Sequence, residues 1–569
     1  MNIIRKNLSQ KNEASNLPDY EKALKTFKSW KDFESELTFF EDGKINAAYN
    51  AIDRHAQTWR KNKIALYFES EKGERLAFTF YDLSILSNKA ANVFRDLGLE
   101  RGKRAFIFLP RVPELFYAFL GIQKVGAIAG TLFSAFGPQA LKDRLGDSNA
   151  EIVITNRALL PRVEQAKVNL PNLKHIVVID APDFSKRMAK AKETTHIARM
   201  DWDEPAFMLY TSGTTGKPKG VVHRHGAILM EHLTAKWVLD LRDSDTYWCT
   251  ADPGWVTGIA YEILGSWSDG ITTVVYEGRF DPAKWYEILQ NYQVTVWYTA
   301  PTAIRMLMAA GESLVKKYNL SHLRHLCSVG EPLNPECVLW GQKVLGLPFH
   351  DNYWQTETGG ILIANYPSMD IKPGSMGRPV PGIKAAILND QGKEMPYGKE
   401  GSLAIKPGWP SQMKTIWRRP GKYQSYFQNG WYITGDRAWE DKAGYFWFVG
   451  RADDVIKTSG ERVGPFEVES ALVAHPKVVE AGVIGKPDPI RGEIIKAFVV
   501  LGKDIKPSEK LKKELSEYVK KQLAGHAYPK EIEFIDKLPK TRSGKIMRRL
   551  LKARELGLPE GDTSTLEEF

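Results

Sequence analysis

Short apolar runs recur through the first two-thirds of the chain: "RAFIFL" (104–109), "AEIVIT" (150–155), "HIVVI" (175–179) and "TTVVY" (272–276). Runs of this length, rich in β-branched and aromatic residues, predict strands buried on both faces. Between them lie amphipathic stretches such as "ELFYAFLGIQKVGA", whose apolar spacing near 3.6 predicts helices with one face inward. Strands and helices in alternation predict an α/β fold. From about Gly382 the pattern shortens to "KAAILND", "GSLAIK", "GWYITGD" and "GYFWFVG", punctuated by Gly, Asn and Asp, which predicts a β-rich subdomain over about 382–450. Beyond "GRADDVIKTSGERV" comes an α+β pattern: a helix from Pro465, strands at "VEAGVIG" and "IIKAFVVL", then a Lys-rich helix. The charged Arg-Ala-Asp-Asp near Gly450–Asp454 is a poor core sequence, so it reads either as a surface turn or as a hinge. The expected division is a large N-terminal domain over 1–452 and a small α+β C-terminal domain over 453–569.

Composition narrows the setting. A chain of 569 residues exceeds what one hydrophobic core supports. Cys249, Cys327 and Cys337 are odd in number and far apart, which argues against a disulfide framework and for a reducing compartment. The N-terminal "MNIIRKNLSQKNEASN" lacks the apolar core of a signal peptide, and no run of eighteen apolar residues occurs, so a cytoplasmic protein with no membrane span is expected. The net charge of +11 gathers partly in "KLKKELSEYVKKQ" and "KTRSGKIMRRLLKAR". Solvated helix faces or a polyanionic small ligand account for it; no RRM, zinc-finger or homeodomain pattern is present, so no nucleic-acid partner is expected.

The most suggestive stretch is "YTSGTTGKPKG", Tyr210 to Gly220. Glycine amides and Ser/Thr hydroxyls can hold phosphate oxygens, though such a loop alone is as readily a surface turn. A Walker A loop is disfavoured, because Pro218 stands where that motif needs a hydroxyl and both flanks favour strands. His223 and His225 in "HRHG" invite a metal reading, but without carboxylate or cysteine partners a structural or surface role is favoured.

Five further motifs follow the loop: "SVGEPLN" (328–334), "DNYWQTETGG" (351–360), "YITGD" (432–436), "GRADDVIKTSGERV" (450–463) and "PKTRSGKIMRR" (539–549). In this order they resemble the adenylate-forming superfamily of acyl-CoA synthetases, luciferases and peptide-synthetase adenylation domains. With "CTADPGWVTG" (249–258) and "GPFEVESALVAHP" (464–476), the resemblance narrows to AMP-forming acetyl-CoA synthetases, in their shorter bacterial subgroup. The resemblance implies a ligase that uses ATP, Mg2+, acetate and coenzyme A and passes through an acetyl-adenylate, with propionate a poorer substrate. A propionate-preferring relative, or a ligase with another acceptor, is the alternative.

Residue roles follow from the same resemblance. Thr211, Ser212, Gly213, Thr214, Thr215 and Gly216 would cradle the departing phosphates, and Glu357 would hold magnesium. Gly330, Glu331 and Pro332, with Asp351, Asn352, Tyr353, Trp354, Gln355 and Thr356, would wrap the adenine. Asp436 would bind the ribose hydroxyls, supported by Arg451 and Arg462. Lys545 would bridge carboxylate and α-phosphate after the C-terminal domain swings about Asp453, and it is also the lysine that an acetyltransferase and a deacetylase would switch. Val256, Thr257, Val329 and Trp354 would bound the acetate pocket. Thr257, Ser459, Gly460 and Lys520 would meet coenzyme A, and Arg157 and Arg162 are further candidates for its 3′-phosphate. The stretch "VAHPKV" matches a structural magnesium site at Val473, His475 and Val478.

Overall fold

The computed structural model describes residues 3–6, 15–211, 218–458, 461–503, 505–523, 527–541, 545–560, 563 and 566. The apolar runs form strands as expected: Arg104–Phe108, Ile152–Thr155, His175–Val178 and Thr272–Tyr276. The amphipathic stretch forms the helix Pro113–Val125, closed by Gly126 in the left-handed region.

Two large sheets carry the N-terminal part. In one of seven strands, Ile128–Leu132 runs parallel to both Arg104–Phe108 and Pro205–Thr211, with Ile152–Thr155 and His175–Val178 continuing the sheet. Gly130 lets the Phe106 ring lie across its neighbour: an added Cβ would fall 2.1 Å from that ring. On the other side, Pro205–Thr211 and Lys219–Arg224 pair antiparallel, with Thr211 opposite Lys219, so the glycine-rich loop joins two strands and opens no helix.

The second sheet, of nine strands, has a parallel middle: Thr246–Cys249, Val296–Thr299, His325–Ser328 and Phe349–Tyr353 lie side by side. Parallel neighbours end at one edge, and three motif segments, 249–258, 328–334 and 351–360, follow directly from those ends. One continuous apolar cluster joins the two sheets.

The β-rich segment is a five-stranded sheet that includes Ala385–Leu388, Gly401–Ile405, Trp431–Glu440 and Phe446–Arg451. Next come the strands Ile456–Thr458 and Glu461–Val463, the helix Pro465–Val473, the paired strands Val478–Asp488 and Gly492–Leu501, and the helix Glu509–Gln522. These last elements bury an apolar cluster of their own, from Ile456 to Ile532. Among the described residues, no helix is long and apolar enough to cross a membrane. The three cysteines are free and buried.

Candidate active site

Asp436 lies in the strand Trp431–Glu440, buried, with Arg451 opposite it on the neighbouring strand. Its Oδ2 accepts from Tyr353 Oη at 2.6 Å and from Gln355 Nε2 at 2.8 Å. Gln355 is itself fixed, because its amide also donates to the Thr434 carbonyl and its Oε1 accepts from Tyr432. Burial pushes the Asp436 carboxyl above its ordinary range, against the pull of Arg451, Tyr353 and Lys545. Burial lowers the Lys545 ammonium, Arg451 adds to that, and Asp436 opposes it. A lysine from the C-terminal region thus shares one electrostatic environment with the end of "YITGD".

A second group forms around Glu357. Its Oε1 is 2.7 Å from Lys219 Nζ, the two side chains are only 13% and 14% exposed, and Tyr426 Oη donates to Oε1 at 3.0 Å. Lys219 also donates to Tyr426 and sits over its ring. Burial would raise the Glu357 carboxyl, but Lys219 and Tyr426 outweigh it and hold the group below its ordinary range. His223 braces the same segment: its Nε2 lies 2.8 Å from the Thr356 carbonyl, so that nitrogen carries the proton, and its ring stacks on Phe207. His225 Nδ1 accepts from the Ala47 amide at 3.1 Å. Both imidazoles are fully buried, which lowers them to about 4 and about 3, so they are neutral framework groups.

Thr211 ends the strand entering the glycine-rich loop, and among the described residues its Oγ1 is buried without a partner. Ser212, Gly213, Thr214, Thr215 and Gly216 lie outside the described residues, as do Ser459 and Gly460.

The residues expected around adenine divide. Gly330 is exposed, whereas the Glu331 carboxylate is taken by Thr302 Oγ1 at 2.6 Å and Arg305 Nη2 at 3.0 Å. Pro332 lines a small cavity with Glu331, Lys545 and Arg548. Asp351 is buried, which pushes its carboxyl well up, and Asn352 Oδ1 accepts from Tyr298. Tyr353, Trp354, Gln355 and Thr356 are half-buried along the segment that leads to Glu357.

Trp354 belongs with Val256 and Val329 to one apolar cluster. Val256 and Thr257 stand at the head of the π-helical turn Gly258–Leu264. Gly258 permits that turn to press on Pro253, whose Cα an added Cβ would meet at 2.6 Å.

Other expected residues lie away from these two groups. Arg462 is exposed and reaches Asp390 at 3.8 Å, not Asp436. Lys520 is exposed, with Glu517 at 3.9 Å and the Tyr528 ring beside it. Asp453 is exposed in the turn that follows Arg451. His475 is buried against Tyr518 and Glu514, with Val473 and Val478 nearby in the chain; among the described residues no group of three or more His, Cys, Asp or Glu gathers as metal ligands. Arg157 takes the Asp180 carboxylate on its backbone amide, and Arg162 donates to the Ser134 carbonyl.

Sequence reasoning missed Lys219, Tyr426, Tyr261 and Tyr298. Lys219 was visible as the second lysine of the loop, but its partners lie far along the chain and no local spacing indicates them. Gln355, expected at the adenine, donates its amide to Asp436, a link no local spacing indicates.

Two family models match the chain: AMP-binding enzyme over residues 52–417 and AMP-binding enzyme C-terminal domain over 467–545. The chain is 55% identical over 563 residues to the acetyl-coenzyme A synthetase of Bacillus subtilis (strain 168), covering 97% of this chain and 98% of that one. To the acetyl-coenzyme A synthetase of Methanothrix thermoacetophila it is 42% identical over 564 residues, covering 93% and 86%. Among solved structures it is similar to the Brucella canis acyl-CoA synthetase, with a TM-score of 0.74, 37% identity and coverage of 95% and 99%. It is also similar to the anthranilate CoA ligase AuaEII in complex with anthranoyl-AMP, with a TM-score of 0.85, 30% identity and coverage of 93% and 99%.

Proposed function

The chain belongs to the AMP-binding enzyme family, and from that premise we propose how its residues carry out the AMP-forming acetate–CoA ligase reaction. Acetate attacks the α-phosphate of ATP, releasing pyrophosphate; the thiol of coenzyme A then displaces AMP from the acetyl-adenylate. An anionic nucleophile must approach a polyanion, so positioned cations and oriented donors do most of the work and no covalent enzyme nucleophile is needed.

The observation that carries this reading is the buried Asp436 carboxylate, held by Tyr353 and Gln355 and opposite Arg451, with Lys545 near enough to act on its charge. Asp436, oriented by Tyr353 and Gln355, accepts the ribose hydroxyls, and Arg451 balances its charge. Lys545 holds the acetate carboxylate against the α-phosphate. Thr211, whose hydroxyl is buried without a described partner, opens the cradle for the leaving phosphates. Glu357 fits a magnesium ion that ATP brings, because Mg2+ takes one or two carboxylates plus phosphate oxygens and this carboxylate is held ionised. When bound, that ion would neutralise phosphate charge. Val256, Val329 and Trp354 leave room for a methyl group, so acetate is preferred to propionate.

Asp453, in the exposed turn between the two apolar clusters, is the pivot by which the C-terminal region leaves and coenzyme A enters. Acetylation of Lys545 by an acetyltransferase, reversible by a deacetylase, would remove its charge and stop the first step. The buried free cysteines fit a cytoplasmic enzyme. The test is acid-dependent ATP–pyrophosphate exchange over acetate, propionate and butyrate, followed by addition of coenzyme A. Acetate-dependent exchange and thiol-dependent AMP release support the reading; a higher kcat/KM with propionate would reassign the acid.

A further inference from the structure

Trp354 does not stand alone. Its ring meets Tyr261 edge to face, with centroids 5.0 Å apart and planes at 84°, and its Nε1 donates to Tyr298 Oη at 3.3 Å. Tyr261 and Tyr298 are themselves perpendicular, at 6.0 Å and 86°, so two edge contacts and one hydrogen bond link the three rings. Both tyrosines are completely buried, whereas Trp354 is only half-buried and presents the remaining surface outward.

Each tyrosine is locked at its hydroxyl. Thr234 Oγ1 gives its single proton to the Met230 carbonyl at 2.6 Å, so at 2.7 Å Tyr261 Oη must donate to Thr234. The same Tyr261 oxygen accepts from the Ile361 amide at 2.7 Å. Tyr298 Oη, while accepting from Trp354, donates to Asn352 Oδ1 at 2.8 Å. These anchors come from separate elements: Tyr261 from the turn Gly258–Leu264, Tyr298 from the strand Val296–Thr299, and Trp354 from the end of the strand Phe349–Tyr353. Leu or Phe would fill the space at lower desolvation cost. A buried tyrosine whose oxygen is fully engaged adds a fixed direction to that volume.

We propose that Tyr261 and Tyr298 are specificity-determining positioning residues, which hold the Trp354 indole in the one orientation that walls off the acyl pocket beyond a methyl group. Neither touches the reacting atoms. A tryptophan wall excludes a longer acid only if it cannot rotate aside, since burial of the extra methylenes would otherwise reward the intruder. Edge contact from Tyr261 blocks rotation in one direction, and the hydrogen bond to Tyr298 fixes the indole in the other.

This rests on the reading that Trp354 closes the acyl pocket, and the experiment separates the two. The acetate-to-butyrate ratio of kcat/KM is measured by ATP–pyrophosphate exchange for the intact chain and for Tyr298→Phe, Tyr261→Leu and Trp354→Gly. Tyr298→Phe keeps the ring and deletes only the hydroxyl, so it tests the idea even where Tyr261→Leu folds poorly. A partly unfolded preparation lowers all acids alike and leaves the ratio unmoved. The ratio is expected to fall about fivefold in Tyr298→Phe, the worth of one net hydrogen bond, and about tenfold in Tyr261→Leu. If Trp354→Gly lowers the ratio while both tyrosine variants stay within about twofold of the parent, the buttress is overturned and the pocket stands. If none of the three moves it, the pocket reading falls, and the buttress with it.

Discussion

The pair Lys219–Glu357 permits a quantitative prediction, because it is both buried and bound to one end of the phosphate loop. At 2.7 Å the gross attraction is about 6 kcal/mol for an effective dielectric constant near 20. Desolvation of two side chains only 13% and 14% exposed offsets much of that, and removal of one partner leaves the other charged without compensation. Lys219→Met, which leaves Glu357 with the Tyr426 hydroxyl and a backbone amide, should therefore cost about 3 kcal/mol, at the lower end for a broken buried pair. Glu357→Gln should cost about the same, and Lys219→Met with Glu357→Gln together should cost much less than the sum. The assay is urea unfolding of the three variants and the parent near neutral pH, read as a double-mutant cycle, with the expected coupling about 2 kcal/mol. In parallel, Glu357→Gln should raise the Mg2+ concentration that half-saturates ATP–pyrophosphate exchange. A coupling below about 0.5 kcal/mol would mean that the two charges are solvated independently and form no buried pair.

Two other predictions concern the catalytic lysine and the buried histidine. Lys545→Ala should abolish acetyl-adenylate formation yet retain thioester formation from supplied acetyl-AMP; equal loss in the two half-reactions, measured separately, would remove the lysine from its assigned step. His223 is neutral in the fold, at about 4 against an ordinary 6.5, so the unfolded chain takes a proton that the folded one refuses. Its contribution is complete above pH 6.5 and is lost as pH falls from there towards 4, by about 3 kcal/mol in total. The stability difference between the parent and His223→Gln should shrink across that window in urea unfolding, and a difference independent of pH would contradict the buried neutral imidazole.

The strands of the two large sheets were legible because short apolar runs have no stable place except a sheet covered on both faces, and "TTVVY" is the strand Thr272–Tyr276 to the residue. The strand–loop–strand arrangement around the glycine-rich loop was legible too: the flanks "AFMLYTSG" and "KGVVH" both favour strands, and the loop joins an antiparallel pair. His223 and His225 were read as structural or surface residues from the absence of ligating partners in the chain; both are fully buried, which leaves no surface role.

By itself, then, the sequence determined the chemistry on offer: hydroxyls and glycines for phosphate, carboxylates at Glu357 and Asp436, an ammonium at Lys545 and a large ring at Trp354. Those are properties of residue types and of motif order, which survive without coordinates. Which groups share a field depends on contacts between segments far apart in the chain. Lys219 finds Glu357 and Tyr426 across the fold, Gln355 turns to Asp436, and Arg462 turns away to Asp390. The tyrosines behind Trp354 were hidden for the same physical reason. A fully buried tyrosine reads in sequence as one more apolar strand or helix position, and its hydroxyl acquires direction only when distant segments supply a donor and an acceptor within hydrogen-bond reach.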